Sequence, residues 1–289
     1  MSNTLDKTAI YNERSGLIHG EQFQLLNSFS PNAQGGSGEW LIGSNPQIAV
    51  ERSLPFARVL LDESGIEQYR VVEANEWEPF SDHFPATEQG QATPVVPGVY
   101  SLALAGNRRA KVAESGLVQI GFDLAGADKV RWKSPFFPGD TAVFTIEADT
   151  DRKDQVSDNV FKLGQEKPAV EISGLKTTKR YDSLVPSFAL VELASHAAGL
   201  AIHARLQEQQ DEGKANKGKP AFLGLDNLAV LGRIELNTEE VVKVEANVIK
   251  ARTLTSTASV IITATREGGP TRTLMTIGSL LFGFSNFSQ

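Results

Sequence analysis

Two apolar runs, each too long for a single strand, divide the chain into similar parts. The first covers residues 93–112 and the second covers residues 185–206. Each contains a proline near its start, where a helix tolerates one because the first N–H groups have no partner within the helix. Both runs are apolar on almost every side, so we predict two helices that are buried rather than lying on a surface.

Segments with alternating apolar and polar residues flank these helices. Residues 57–74 come before the first helix and residues 122–149 follow it, with a turn at Pro138–Asp140. Residues 222–248 follow the second helix with the same order of strand, turn and strand. A period of two residues is typical of half-buried strands. The sequence therefore predicts strands around each helix.

The two halves repeat one arrangement, since Gly126–Asp128 aligns with Gly224–Asp226 after the two helices. An apolar helix among many strands favours the α+β class, with a bent antiparallel sheet wrapped around one central helix. We predict two such domains, at residues 46–180 and 181–289.

The N-terminal region supplies a strand pair that the second half lacks. Residues 21–43 read as two strands, whereas no pair precedes the second helix. We predict that a hairpin within residues 16–45 completes the second domain's sheet; the alternative is an added hairpin on the first domain. Residues 207–219 have the composition of a solvated loop.

Composition narrows the function classes. A length of 289 residues suits two domains. The absence of cysteine excludes disulfides, thiolate metal sites and cysteine nucleophiles, and we expect no metal. A net charge of −7 argues against general nucleic-acid binding. No uninterrupted run of apolar residues approaches the ~20 residues that span a bilayer, and the N-terminus does not read as a secretory signal. We therefore expect a cytoplasmic protein without membrane insertion.

One ordered set of motifs identifies a family resemblance. Glu78–Phe80, His83–Pro85 and Pro94–Val99 follow one another, and residues 130–140 read VRWKSPFFPGD. This set resembles the β-hydroxyacyl-acyl-carrier-protein dehydratases over about residues 50–180, and more weakly over 185–250. The resemblance implies a double hot-dog similar to the dehydratase domains of polyketide synthases.

The resemblance implies one histidine and one acidic residue in the active site. The histidine matches His83. The acidic residue stands five positions after the glycine that begins the helix; that position is Ala103 in the first half. In the second half Ser187 replaces the glycine and Glu192 stands five positions later. Each half keeps one member of the pair, so we predict a single composite site.

These residue types suit dehydration of a β-hydroxyacyl thioester. His83 would take the α-proton, since an unperturbed histidine has a pKa of about 6.5. Glu192 would protonate the departing hydroxide, because desolvation raises the pKa of a carboxyl group. The backbone N–H groups of Gly98 and Val99 would stabilise the thioester oxygen. His196, one helical turn from Glu192, would orient its carboxyl group or bond a water.

The resemblance also implies the partners. The substrate would be an acyl-carrier-protein or acyl-CoA thioester on phosphopantetheine, in fatty-acid or polyketide-like biosynthesis, with no further cofactor. Its acidic carrier or phosphate would meet a basic patch; an ordinary solvated surface is the alternative for each basic residue. The candidates are Arg108, Arg109, Lys111, Arg131 and Lys133.

Two departures keep other functions open. Residues 86–93 interrupt the family's histidine loop, and Ser187 replaces the helix-start glycine. The rival interpretations are a hot-dog thioesterase, in which Glu192 activates water, and a non-catalytic scaffold that binds an acyl carrier. His83 as an ordinary loop histidine and Glu192 as a surface residue are the structural alternatives. We expect a monomeric pseudo-dimer or a homodimer.

Overall fold

A computed structural model describes residues 4–11, 24–42, 57–73, 96, 98–110, 117–118, 122–148, 156–211, 219–252 and 254–285. The chain forms two compact units. The described residues up to 42 and from Ala189 onward make the C-terminal unit, and those of 57–188 make the middle unit. The division falls at Phe188, eight residues beyond the boundary expected from the sequence.

Three helices and fifteen strands are present among the described residues. The helices are α1 (Lys7–Ile10), α2 (Gly98–Ala110) and α3 (Ser187–Asp211). The strands are β1 (Leu5–Asp6), β2 (Ser28–Asn32), β3 (Gly35–Leu41), β4 (Ala57–Leu61), β5 (Glu67–Val71), β6 (Leu117–Val118), β7 (Phe122–Trp132), β8 (Thr141–Ala148), β9 (Val156–Lys162), β10 (Val170–Ser173), β11 (Lys176–Lys179), β12 (Lys219–Val230), β13 (Val241–Lys250), β14 (Thr255–Thr265) and β15 (Arg272–Ser285).

The C-terminal unit has one antiparallel sheet. Its strand order is β1-β2-β3-β13-β14-β15-β12. Strand β13 alternates buried and exposed residues from Val242 to Asn247, as a sheet with one face toward a core requires. The N-terminal hairpin β2–β3 joins this sheet through β3, where Trp40 lies opposite Val242. The hairpin and the second half of the chain therefore share one sheet.

The middle unit also has one antiparallel sheet, in the order β7-β10-β9-β8-β5-β4-β6. Strand β11 pairs with the first part of β7, and β10 pairs with the last part of β7. The predicted turn between β7 and β8 is present. Gly139 adopts a φ of +83°, which favours glycine, and the Asp140 carboxylate accepts the Phe137 N–H at 2.8 Å.

Each unit buries one long helix. In α2 every residue from Val99 to Ala105 is buried, and α3 is buried on all sides from Ser187 to Ala194. Ser187–Gln209 is long and apolar enough to cross a membrane by length and composition, but 83% of its apolar window is buried inside the protein, as in a core helix. The chain is thus α+β, with the two antiparallel sheets and two buried helices of a double hot-dog.

Helix α3 is longer than the sequence indicated. Residues 207–211, which we expected in a solvated loop, continue the helix to Asp211. Glutamine and glutamate are good helix formers, and side chains one turn apart stabilise this end: the Gln207 amide lies 2.9 Å from His203 Nε2, and Arg205 pairs with Glu208 at 2.7 Å. The loop expectation was therefore wrong for these five residues.

Candidate active site

Glu192 is a buried carboxyl group on α3. Its residue is 5% exposed, and its sequence neighbours Val191 and Leu193 are fully buried. Moving a carboxyl group out of water is costly unless hydrogen bonds or charges compensate it. A glutamate held in such a place is therefore a candidate for function rather than for solubility, and the surface alternative for Glu192 is excluded by its burial.

His196 lies one turn further along the same face of α3. It is 2% exposed, and its Nε2 lies 3.9 Å from Glu192 Oε2. This distance is too long for a direct hydrogen bond, which spans about 2.7–3.2 Å between heavy atoms. The two groups interact electrostatically inside the protein, where the low dielectric strengthens the interaction.

Tyr11, directly after α1, completes a buried polar cluster that the sequence analysis missed. Its hydroxyl lies 3.1 Å from His196 Nδ1, and its ring meets the imidazole edge-on with 5.6 Å between the centroids. The backbone N–H of Leu26 donates to the Tyr11 hydroxyl at 2.8 Å. Tyr11, His196 and Glu192 all belong to the C-terminal unit. We call these three residues the polar cluster.

Electrostatics keep the tyrosine of the polar cluster protonated. Burial raises the pKa of Tyr11 well above its ordinary value of 10.0, and Glu192 in its carboxylate form raises it further. Backbone hydrogen bonds from Leu26 and Leu25 lower the pKa by a smaller amount. At neutral pH Tyr11 is therefore a neutral phenol with a hydrogen to donate.

No local sequence pattern predicts the contact of Tyr11 with His196, because the two residues are 185 positions apart in the chain. The signal available from the sequence was indirect. An N-terminal hairpin that joins the second half places the residues around 24–42 in the same unit as α3. Tyr11 lies next to these residues, because its hydroxyl accepts a hydrogen bond from the Leu26 N–H. The histidine and the glutamate, by contrast, share one helix face by their spacing alone.

The beginning of α3 is fixed by Asp123 of β7. The Asp123 carboxylate accepts the Ser187 N–H at 2.8 Å and the Leu124 N–H at 3.0 Å. The Ser187 hydroxyl donates to the Leu124 carbonyl at 3.0 Å. All three residues lie in the middle unit. Serine at this position therefore has a structural role.

Gly98, a predicted oxyanion residue, is the first residue of α2, and Val99 follows it as a buried residue. The Trp132 indole N–H donates to the Gly98 carbonyl at 2.9 Å and to the Ser101 hydroxyl at 2.8 Å. A Cβ on Gly98 would lie 3.0 Å from two indole atoms. The glycine thus permits close packing against Trp132; the role of the two N–H groups stays a prediction.

The predicted basic patch contains one residue that already has an acidic partner. Lys133 forms an ion pair with Glu171 at 2.7 Å. Arg131, opposite Glu171 in the β7–β10 ladder, donates to the Val130 carbonyl at 2.8 Å. Arg108 and Arg109 lie in α2. Their side chains lie outside the described part of the chain, as does Lys111, so the carrier-binding assignment stays a prediction.

His83 lies outside the described residues, as do the other residues of 74–95. The structure therefore places the acidic member of the predicted pair, and the histidine stays a prediction from the motif. Among the described residues, no group of three or more His, Asp or Glu side chains is placed to hold a metal ion.

Comparisons with known proteins find likeness in structure alone. No protein-family model and no curated protein matches the chain. The dehydratase domain of RzxB from Pseudomonas fluorescens is 10% identical, over 79% of this chain and 98% of that domain, with a TM-score of 0.46. The dehydratase domain of the polyketide PpsC from Mycobacterium tuberculosis is 9% identical, over 80% and 98%, with a TM-score of 0.46. A hexameric thioesterase from Yersinia pestis is 11% identical, over 37% and 77%, with a TM-score of 0.29.

Two of these structures are dehydratase domains. At such identities and TM-scores the likeness assigns neither a residue role nor an activity. The double hot-dog architecture is carried instead by the two antiparallel sheets and their two buried helices.

Proposed function

We propose that this protein is a hydro-lyase that removes water from a β-hydroxyacyl thioester. In this reaction His83 takes the proton from Cα, the Cα–Cβ double bond forms, and the Cβ–O bond breaks. Glu192 gives its proton to the departing hydroxyl, so that the products are an enoyl thioester and one water. His83 ends with one proton more and Glu192 with one fewer, and exchange with solvent restores both.

The observation that carries the proposal is the burial of Glu192. Hydroxide is a poor leaving group, so elimination near neutral pH needs an acid that still holds its proton there. Desolvation favours the neutral form of a carboxyl group, and Glu192 is only 5% exposed on an apolar helix. A protonated carboxyl group in an apolar site is a suitable general acid for this step.

The base is proposed from the sequence. The His-Phe-Pro motif at His83–Pro85 stands in the order in which the resembling family carries its histidine. A histidine titrates close to neutral pH, which suits a general base. The proposal extends to a substrate carried on phosphopantetheine, attached to an acyl carrier protein or to coenzyme A, in fatty-acid or polyketide-like biosynthesis.

Product analysis tests the proposal. The purified chain is incubated with a β-hydroxyacyl thioester of N-acetylcysteamine, and the products are separated by mass. We expect an enoyl thioester, formed at a rate that Glu192→Gln lowers by about 10²–10⁴-fold, the usual contribution of a general acid. His83→Ala should lower it by a comparable factor.

The matched control is Glu208→Gln, which removes a carboxyl group from the same helix where it is half exposed and paired with Arg205. This variant should keep the wild-type rate. Release of free acid, with little effect of His83→Ala, would identify a thioesterase. Binding of acyl carrier without turnover would identify a scaffold, and either result overturns the proposal.

A further inference from the structure

The N-terminal segment contributes a residue to the buried site on α3. Tyr11 of this segment contacts His196, which in turn lies 3.9 Å from Glu192. We infer that Tyr11 is a positioning residue that holds His196 neutral, with the ring proton on Nε2 toward Glu192. The consequence for catalysis rests on the proposed role of Glu192 as the acid; the tautomer of His196 does not.

The direction of the hydrogen bonds follows from what the phenol oxygen already accepts. The Leu26 N–H donates to it at 2.8 Å. A phenol hydroxyl accepts through its oxygen and donates its one hydrogen. Since the oxygen already accepts the Leu26 N–H, the contact with His196 Nδ1 at 3.1 Å is assigned to the hydrogen of the phenol.

Nδ1 is therefore an acceptor, and a neutral imidazole with an acceptor Nδ1 carries its proton on Nε2. An imidazolium would place a second donor at Nδ1, facing the Tyr11 hydroxyl. The phenol does not relieve this conflict by ionising, because burial raises its pKa. The neutral Nε2–H form of His196 is thus favoured by both its hydrogen-bond partner and its burial at 2% exposure.

The proton on His196 Nε2 also affects the carboxyl group of Glu192. The Nε2–H dipole faces Glu192 Oε2 at 3.9 Å, and a donor near one carboxyl oxygen favours that oxygen as the carbonyl oxygen. The acid proton is then favoured on Oε1. Tyr11 would in this way bias which oxygen of Glu192 delivers the proton, although it does not touch the substrate itself.

Nitrogen-15 NMR of the histidine rings tests the inference on the folded wild-type chain without any turnover. The chain has four histidines, so loss of one set of signals in His196→Asn assigns His196. Protonated and unprotonated ring nitrogens resonate far apart. We expect one protonated nitrogen, Nε2, and an unprotonated Nδ1 at neutral pH. An imidazolium, or a proton on Nδ1, overturns the inference.

Tyr11→Phe removes the donor and should shift His196 toward the Nδ1–H form. The matched control is Tyr69→Phe, which removes the hydroxyl of a buried tyrosine in the middle unit, where it donates to Glu67. This control should leave the His196 signals unchanged. His203, a partly exposed residue further along α3, is an internal reference that should not move in either variant. An unchanged His196 tautomer in Tyr11→Phe overturns the inference.

Activity supplies a second readout. Removing an outer partner that orients a functional histidine typically costs about 10–100-fold, and for Tyr11→Phe we expect this loss in kcat with little change in KM. His196→Gln should lose less than His196→Leu, because an amide can accept from Tyr11 and donate toward Glu192. Equal losses in the Gln and Leu variants contradict the inference.

The two proposals fail in different ways. A chain with no hydro-lyase activity but with Nε2–H on His196 refutes the proposed function and leaves the tautomer assignment. An active chain with a different tautomer refutes the role of Tyr11 alone. If Tyr11→Phe does not fold, the wild-type spectrum and the two His196 variants still decide the matter.

Discussion

Removal of the Asp123 carboxylate should destabilise the beginning of α3. In Asp123→Ala the Ser187 N–H loses an acceptor at 2.8 Å and the Leu124 N–H loses one at 3.0 Å. Losing a helix-capping acceptor typically costs about 1 kcal/mol, and leaving a second buried N–H without an acceptor costs about 1–3 kcal/mol. We expect a loss of about 2–4 kcal/mol, a large part of the usual stability of a folded domain.

Two variants calibrate this value. Asp123→Asn keeps an oxygen that can accept both N–H groups, so we expect it to lose less than half as much as the alanine variant. Ser187→Ala removes only the hydroxyl bond to Leu124 and should cost about 1 kcal/mol. The start of α3 at Ser187 also determines where Glu192 lies, because Glu192 is five residues, about 7.5 Å, further along the helix.

The assay is hydrogen exchange of the α3 backbone amides by NMR or mass spectrometry, because two units need not unfold in one step. Opening of the first turns of α3 should become about 30–1,000-fold more frequent in Asp123→Ala, the equivalent of 2–4 kcal/mol. Wild-type protection of these amides in Asp123→Ala, or equal losses in the Ala and Asn variants, would refute the reasoning.

Three further results are expected. Gly98→Ala should shift the fluorescence of Trp132 and destabilise the chain by roughly 1–2 kcal/mol, since the added Cβ lies 3.0 Å from the indole; unchanged emission contradicts this packing. Burial raises the pKa of Tyr11 above 10.0, so above this pH the folded chain retains a proton on Tyr11 that the unfolded chain loses. In denaturant titrations the stability of the wild type should therefore fall more steeply above pH of about 10 than that of Tyr11→Phe. Equal slopes would contradict this effect. Glu171→Gln releases Lys133 from its ion pair and, if this lysine receives an acidic carrier, should tighten carrier binding in calorimetry; weaker binding refutes that role.

The helices and strands could be predicted because their patterns are local. An apolar run such as Phe188–Val191 has no polar side to place toward water, and the alternation of β13 is typical of a sheet with one buried face. The Gly139 turn is equally local. The end of α3 was misjudged because polar residues such as Gln207 and Glu208 suit a solvated helix turn as well as a loop.

The polar cluster could be predicted only in part. Glu192 and His196 are four residues apart, so the sequence alone predicts that they lie on the same face of a helix. Tyr11 lies near them only in the folded chain. Its hydroxyl accepts a hydrogen bond from the Leu26 N–H and lies beside His196 Nδ1. A single tyrosine in a polar N-terminal segment carries no signal of such a contact. The reason for serine at Ser187 was likewise hidden, because its partner Asp123 lies on another element.

Leaving-group rescue tests the central claim, an acid at Glu192 and a base at His83, most directly. A β-chloroacyl thioester loses chloride, which needs no proton to depart, but its elimination still requires a base at Cα. We expect Glu192→Gln, which is slow with the β-hydroxyacyl thioester, to recover elimination of the β-chloro substrate to within about 10-fold of wild type, whereas His83→Ala stays slow with both substrates. Equal failure of Glu192→Gln on both substrates, or recovery of His83→Ala alone, would contradict the assigned roles.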